Sequence, residues 1–241
     1  MRHRCYGPVT VRKNSNPDTV IAILGCIFVV AALALIWGAR STVPRDLYVS
    51  ELGAVGMATR YVFMAALLCL VAGGVLIGWA GRGVTAEVAV LRAWTPAVSL
   101  WIASGLFLFA SQVTCTYGCP VPYGPAFTWQ DTLHIVAAVV AFAFACWAML
   151  QASFARHHRV IAVLSAVCAW SVAAIAGTGG LLGLFQVGQA FGAWCEFVAM
   201  TIAICWVVMF GLAVAAEHVR EGRRGSFAPD ALPASAWSET G

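Results

Sequence analysis

Four ionisable side chains, Glu51, Asp131, His134 and Glu196, stand in or beside strongly apolar stretches of this sequence. A charge placed at the centre of a bilayer costs about 2.5–3.5 kcal/mol on insertion scales, so each of them needs a reason. Asp131 has one close by. Thr128-Trp129-Gln130-Asp131 fits a capping box ahead of an apolar run, and an acid there also complements the helix dipole. His134 follows three residues later, on roughly the same helical face. It can act as a general base oriented by Asp131, as a single metal ligand, or as a buried histidine bonded to Asp131 or to a backbone carbonyl. One histidine on that flank does not make a three-histidine zinc site, so no metal is assigned. Glu196 fits equally well a structural ion pair with Arg40, Arg45 or Arg60 and a role in binding a headgroup or substrate. Glu51 reads as a solvated loop acid.

Two cysteines add a redox option. Cys115 and Cys119 flank a three-residue spacer containing Gly118, which a turn can close into a disulfide clip. A thiol oxidoreductase would more typically carry Cys-x-x-Cys, and the spacing here departs from that. Cys195 is a third member only if the fold brings it close. Arg156-His157-His158-Arg159 has adjacent histidines that point in different directions on a helix, so it reads as a basic anchor and not as a metal site.

The elements that must position these residues follow from composition. Of 241 residues 61% are hydrophobic and only 10% charged, against roughly a quarter charged in an ordinary soluble domain. So few charges cannot clothe a soluble globule of this size, and the surplus apolar surface must face lipid. A net charge of +4 points to no nucleic-acid partner. Most of the nine cysteines lie within apolar runs, where a thiol behaves as a small hydrophobe. The polar stretch before the first apolar run is long, and that run is long enough to span, which does not fit a cleavable signal peptide.

Six segments approach the ~20 residues that cross a bilayer as a helix: Thr19–Ala39, Tyr61–Ala80, Trp94–Val113, Thr132–Phe154, Val160–Thr178 and Phe191–Ala216. Strands are disfavoured because the segments do not alternate, whereas helices satisfy their own backbone groups. Eleven Lys and Arg residues fall on one side, in the N-tail, the second and fourth loops and the C-tail. Three, Arg40, Arg45 and Arg60, fall on the other. The richer side is assigned to the cytoplasm. The expected protein is an all-α integral membrane bundle of six transmembrane helices with both termini cytoplasmic, in the plasma (inner) membrane. Residues 1–18 form an N-terminal tail, 19–216 the transmembrane domain, and 217–241 a disordered C-terminal tail. Loops 1, 3 and 5 are extracytoplasmic, the fifth being the Gly-rich stretch from Gly177 to Gly192. Gly74 and Gly78 form a small-xxx-small pair suited to helix packing.

Several pieces together resemble a known family. They are Ser50-Glu51-Leu52-Gly53-Ala54 with Gly56, then Gly118-Cys119-Pro120, then His134 with Ala137 and Ala138, and finally Gly183-Leu184-x-Gln186 followed by Trp194. In this order they resemble the bacterial domain-of-unknown-function 998 family of six-helix membrane proteins, itself distantly similar to the DRAM and Frag families. The family's third loop usually reads Phe-Pro-x-Asp ahead of Cys-Pro, and here Val113, Thr114 and Thr116 take those three places. An Arg commonly follows the Gln of the fifth loop, and here Val187 stands there. The resemblance implies the fold and carries no reaction.

The leading functional expectation is a non-enzymatic membrane protein with no cofactor. It would bind a lipid headgroup or a partner helix at an outer-face cavity, with Glu51, Asp131, His134, Gln186, Trp194 and Glu196 as candidate contacts. The partners are membrane lipids or another membrane protein. The alternatives are a membrane enzyme acting on a lipid or isoprenoid with His134 as base, and a thiol redox protein using Cys115 and Cys119. Topology is the first thing to test. Epitope tags at either terminus are expected to be inaccessible to antibody on intact cells, and labelling from outside would overturn the orientation.

Overall fold

The structure is a computed structural model that describes residues 17–43, 46–155 and 159–226. Six α-helices account for most of it: α1 Pro17–Ser41, α2 Arg60–Ala80, α3 Pro96–Gln112, α4 Trp129–Ser153, α5 Arg159–Leu184 and α6 Gln189–Ser226. A single 3-10 turn, Val49–Gly53, interrupts the first loop. Five of the helices are long and apolar enough to cross a membrane, and α3, at 17 residues, is the short one. Their starts follow local chemistry. Pro17 and Pro96 stand in first turns, where a missing N–H costs nothing, and the Thr95 side chain caps α3 through the Val98 N–H at 3.4 Å.

The helices close into a ring in chain order, each packing on its sequence neighbours, with α6 completing the circle against α1. Of the five helices long enough to span, α6 is the most buried over its apolar stretch and α5 the least. The faces turned outward are apolar, as with Val30, Val139, Val167 and Trp170, all more than half exposed. That is the surface expected of a bundle solvated by lipid.

Each end of the ring is tied by its own contacts. At one end, the Val55 N–H bonds the Cys115 carbonyl at 2.8 Å, joining loop 1 to loop 3. The Tyr123 hydroxyl donates to the Leu184 carbonyl there and joins loop 3 to the end of α5. At the other end, Arg82 reaches the Asp18 carboxylate with both guanidinium nitrogens, at 3.2 and 3.0 Å. The His218 Nε2 lies 3.0 Å from the Ala80 carbonyl, and Glu87 N–H bonds the Phe154 carbonyl at 2.9 Å. The start of α1 and the far end of α6 therefore share one end of the bundle, together with loops 2 and 4. Loops 1, 3 and 5 share the other.

Close helix contact rests on glycine. A Cβ on Gly73 would lie 2.7 Å from the Gly25 carbonyl of α1, and one on Gly78 would lie 2.7 Å from the Trp101 Nε1 of α3. Gly74 faces the Ser104 hydroxyl on the same side as Gly78. α2 is thus pinned on both flanks by side chains it does not have.

Two boundaries differ from the sequence reading. The fifth helix does not stop at Thr178 but continues to Leu184, so the expected Gly-rich loop shrinks to a tight turn. Its glycines permit helix contact here: a Cβ on Gly179 would meet the Gly192 carbonyl at 2.9 Å. The sixth helix runs past Ala216 to Ser226, so the first ten residues of the tail expected to be disordered are helical. Residues such as Glu217, His218, Arg220 and Glu221 leave the apolar layer yet suit a helix, and His218 and Glu221 pair at 3.6 Å across i,i+3. Lower hydropathy marks the exit from lipid and not the end of the helix. The N-terminal tail to residue 16, Arg45, the Arg156-His157-His158 triplet and residues 227–241 lie outside the described residues.

Gly73→Ala forces a backbone oxygen aside and is expected to cost about 1–3 kcal/mol, read as a lowered melting temperature in detergent. Gly105→Ala has nothing within 4 Å of the added atom and is expected to be neutral or mildly stabilising.

Candidate functional site

The end of the ring that carries loops 1, 3 and 5 is where the unusual residues gather. The 3-10 turn of loop 1 begins with two backbone donors that no helix satisfies. Tyr48 N–H bonds Glu51 Oε1 at 3.1 Å, a local cap. Val49 N–H bonds Glu196 Oε2 at 2.8 Å, a contact across 147 positions of sequence. Glu196 therefore reaches from α6 to hold loop 1. No ion pair to Glu196 occurs among the described residues: Arg40 pairs instead with Asp46 at 3.2 Å and lies over the rings of Trp194 and Phe197. The Tyr48 ring sits against Gly183 and Gly192, where a Cβ on Gly183 would come within 3.1 Å of its hydroxyl. That hydroxyl is buried without a hydrogen-bond partner among the described residues. Burial pushes the Tyr48 phenol above its ordinary pKa, and the neighbouring Glu196, Glu51 and Cys195 push it the same way.

Asp131 is wholly buried and fully engaged. Its carboxylate accepts from the Thr116 N–H at 2.6 Å, from the Thr116 hydroxyl at 2.8 Å and from the Thr128 hydroxyl. Thr128 in turn caps α4 by accepting from the Asp131 N–H at 3.1 Å. The acid thus fastens loop 3 onto the start of α4. Beside it Cys115 and Cys119 are joined by a disulfide, with Cα atoms 5.0 Å apart. Gly118 at φ 79° and Cys119 at φ 43° make the turn between them. Two sulfurs and an Asp131 oxygen lie within 4.8 Å of one another, but the sulfurs are bonded to each other and the oxygens are taken by threonines. Cys195 is a free, buried thiol on α6, outside this group.

His134 does not use Asp131. Its Nδ1 lies 2.7 Å from the Val113 carbonyl and 3.1 Å from that of Ala110. Carbonyls only accept, so Nδ1 carries the hydrogen and caps the exposed end of α3. The dyad of the enzyme alternative, with Asp131 orienting His134 as a base, is not formed, and the geometry is that of a buried histidine bonded to backbone carbonyls. A backbone carbonyl pair orients the ring instead. In the neutral imidazole this leaves Nε2 as an acceptor, and no hydrogen bond reaches it among the described residues.

The ring encloses a cavity of about 90 Å³, against the ~10–15 Å³ that one water needs. Its wall is apolar for most of its length, with Leu100, Phe107, Phe142 and Val207 among the lining residues. His134, Glu196 and Ser50 supply polarity from the end beneath loops 1 and 3, and Ser104 lies further along α3. All six helices except α5 contribute. His134 also lines a smaller crevice of about 10 Å³ between α2 and α3, which Arg60 borders.

Of the six candidate contacts, then, His134 and Glu196 share one cavity. Glu51 and Asp131 line neither space, and both are bonded to backbone amides. Gln186 is exposed, adopts φ 57°, and folds back to donate to the Gly183 carbonyl at 2.7 Å at the end of α5. Trp194 is about half exposed and lies near Trp37, the two rings tilted at 42° with centroids 6.5 Å apart. The sequence reading missed Ser50, Ser104 and Tyr48. Only the Ser50-Glu51 pair and Gly183 within the family-like pieces gave a signal for them.

A closed ring of apolar helices with lipid-facing flanks and polar loops at both ends is a multi-pass helical membrane protein. Within that class the chain belongs to the family described as protein of unknown function DUF998, whose model matches residues 20–213. Comparison with curated proteins and with solved structures finds no match.

Asp131→Ala strands the Thr116 N–H in a buried site and is expected to cost about 1–3 kcal/mol of stability. A melting curve in detergent reads this, and an unchanged curve would remove Asp131 from the role of loop fastener.

Proposed function

We propose that this protein binds a membrane lipid, taking its apolar chain between the helices and its head beneath loops 1 and 3. The single observation that supports this is the polarity of the cavity, which is apolar along its length with His134, Glu196 and Ser50 at one end. Amphiphiles have that profile, and sites that bind them pair an apolar wall with a few placed polar groups. A partner helix is a poorer occupant of the same space, because a helix with its side chains is about 10–12 Å across. In this reading all six helices cross the plasma (inner) membrane. The ends of the chain and the arginine-rich loops 2 and 4 are cytoplasmic, and the head of the lipid lies toward the outer leaflet.

An enzymatic role for His134 is the second reading. It is favoured by His134 lining the cavity with no hydrogen bond to its Nε2 among the described residues, and it would have to proceed without Asp131.

Filling the cavity tests the binding reading. Ala103→Phe and Ala138→Phe place bulk on two walls. Each is expected to lower the lipid that co-purifies, relative to bulk membrane, by about ten-fold, equivalent to about 1.4 kcal/mol. Mass spectrometry of gently purified protein reads this. Equal lipid in the filled variants and the parent, with melting temperatures retained, would end the proposal.

A further inference from the structure

We infer that the cavity selects an uncharged amphiphile with a hydroxyl head, a lipid alcohol, and disfavours the corresponding phosphate. This rests on the lipid-binding reading above and names the head that fits.

Phosphate sites in proteins are built from donors and positive charge, with Arg, Lys, backbone N–H groups or a metal facing the oxygens. The polar end of this cavity is built the other way. Among the described residues no Lys or Arg lines it. Arg60 borders the adjoining crevice between α2 and α3, which shares Phe63, Leu67, Ala110 and His134 with the cavity, and does not line the cavity itself. Two backbone donors at the start of the turn are already taken, Tyr48 N–H by Glu51 Oε1 and Val49 N–H by Glu196 Oε2. Of the Glu196 carboxylate, Oε1 has no hydrogen bond among the described residues.

His134 has the same character. The ring is 4% exposed, and its Nδ1–H is committed to the carbonyls at the end of α3. The remaining nitrogen of the neutral ring is an acceptor. A carboxyl group and an imidazole at one end of an apolar space suit a partner that can both donate and accept, and a hydroxyl does both. The Ser50 hydroxyl, on the wall of the same space, can return a hydrogen bond to the ligand oxygen. A phosphate there would carry its charge into a largely apolar space with no Lys or Arg among the described lining residues to meet it.

Two kinds of lipid carry this head, a prenyl alcohol and a diacylglycerol, and the assay separates them. The protein in nanodiscs of neutral lipid is labelled with a farnesol-length alcohol bearing a photoreactive diazirine. Labelled residues are mapped by mass spectrometry. Competitors are farnesol, dioleoylglycerol, farnesyl monophosphate and dioleoylphosphatidic acid. Labelling of cavity residues is expected. At least one alcohol is expected to compete at ten-fold lower concentration than its own phosphate, and the better of the two alcohols identifies the source. Ser50→Lys supplies the missing cation and is expected to reverse the order. Glu196→Gln keeps an oxygen for Val49 N–H while removing the ionisable acid, and is expected to narrow the gap. If no residue lining the cavity is labelled, the lipid-binding reading itself fails. If they are labelled but the phosphates compete as well as the alcohols or better, binding stands and the selectivity inferred here is wrong.

Discussion

The bond from the Val49 N–H to the Glu196 carboxyl group ties together the end of the bundle that carries loops 1, 3 and 5. It joins the first loop to the sixth helix, the two elements that flank the closing seam of the ring. In water such a bond would exchange freely with solvent. At the edge of an apolar bundle its alternative is an unsatisfied amide and an unsatisfied acid, so losing the bond is costly. The 3-10 turn that follows is thereby fixed across the end of the cavity, with Ser50 on its wall and Tyr48 wedged against the α5–α6 hairpin.

The same physical problem is solved twice more nearby. Loops at the end of a membrane bundle carry backbone groups that the helices cannot satisfy. Asp131 answers for the Thr116 N–H, and His134 answers for the carbonyls of Ala110 and Val113. Three ionisable residues that stand out in an apolar sequence thus first serve backbone groups of the loops or of a helix end. What differs among them is what remains afterwards. Asp131 has nothing left to offer, whereas one nitrogen of His134 and one oxygen of Glu196 remain beside the cavity. The separation between scaffold and site falls along that line.

How far the sequence reveals this depends on the range of each interaction. The six apolar segments, the cap of α4 by Thr128 and the packing role of Gly74 and Gly78 are local, and residue types at helical spacing are enough to read them. The ends of α5 and α6 are not readable in the same way. Glycine serves as a breaker or as a contact surface depending on what faces it, and Gly179 faces the start of α6. The partners of Asp131 and His134 lie 15 to 24 positions away, across a loop of irregular backbone. The sequence leaves His134 open between Asp131 and a backbone carbonyl, and the carbonyls at the end of α3 are the partners it takes. The bond between Val49 and Glu196 had no sequence signal at all, since one partner is a main-chain amide.

The most direct test of the central claim is an experimental structure of the protein in nanodiscs formed from its own membrane, at a resolution that shows lipid. The expected result is elongated density between α2, α3, α4 and α6, ending in a head within hydrogen-bonding distance of His134 and Glu196. A bundle in which Leu100, Phe107 and Phe142 close over the space and leave no room for a chain would contradict it. So would a head group seated at the opposite end, near Val207.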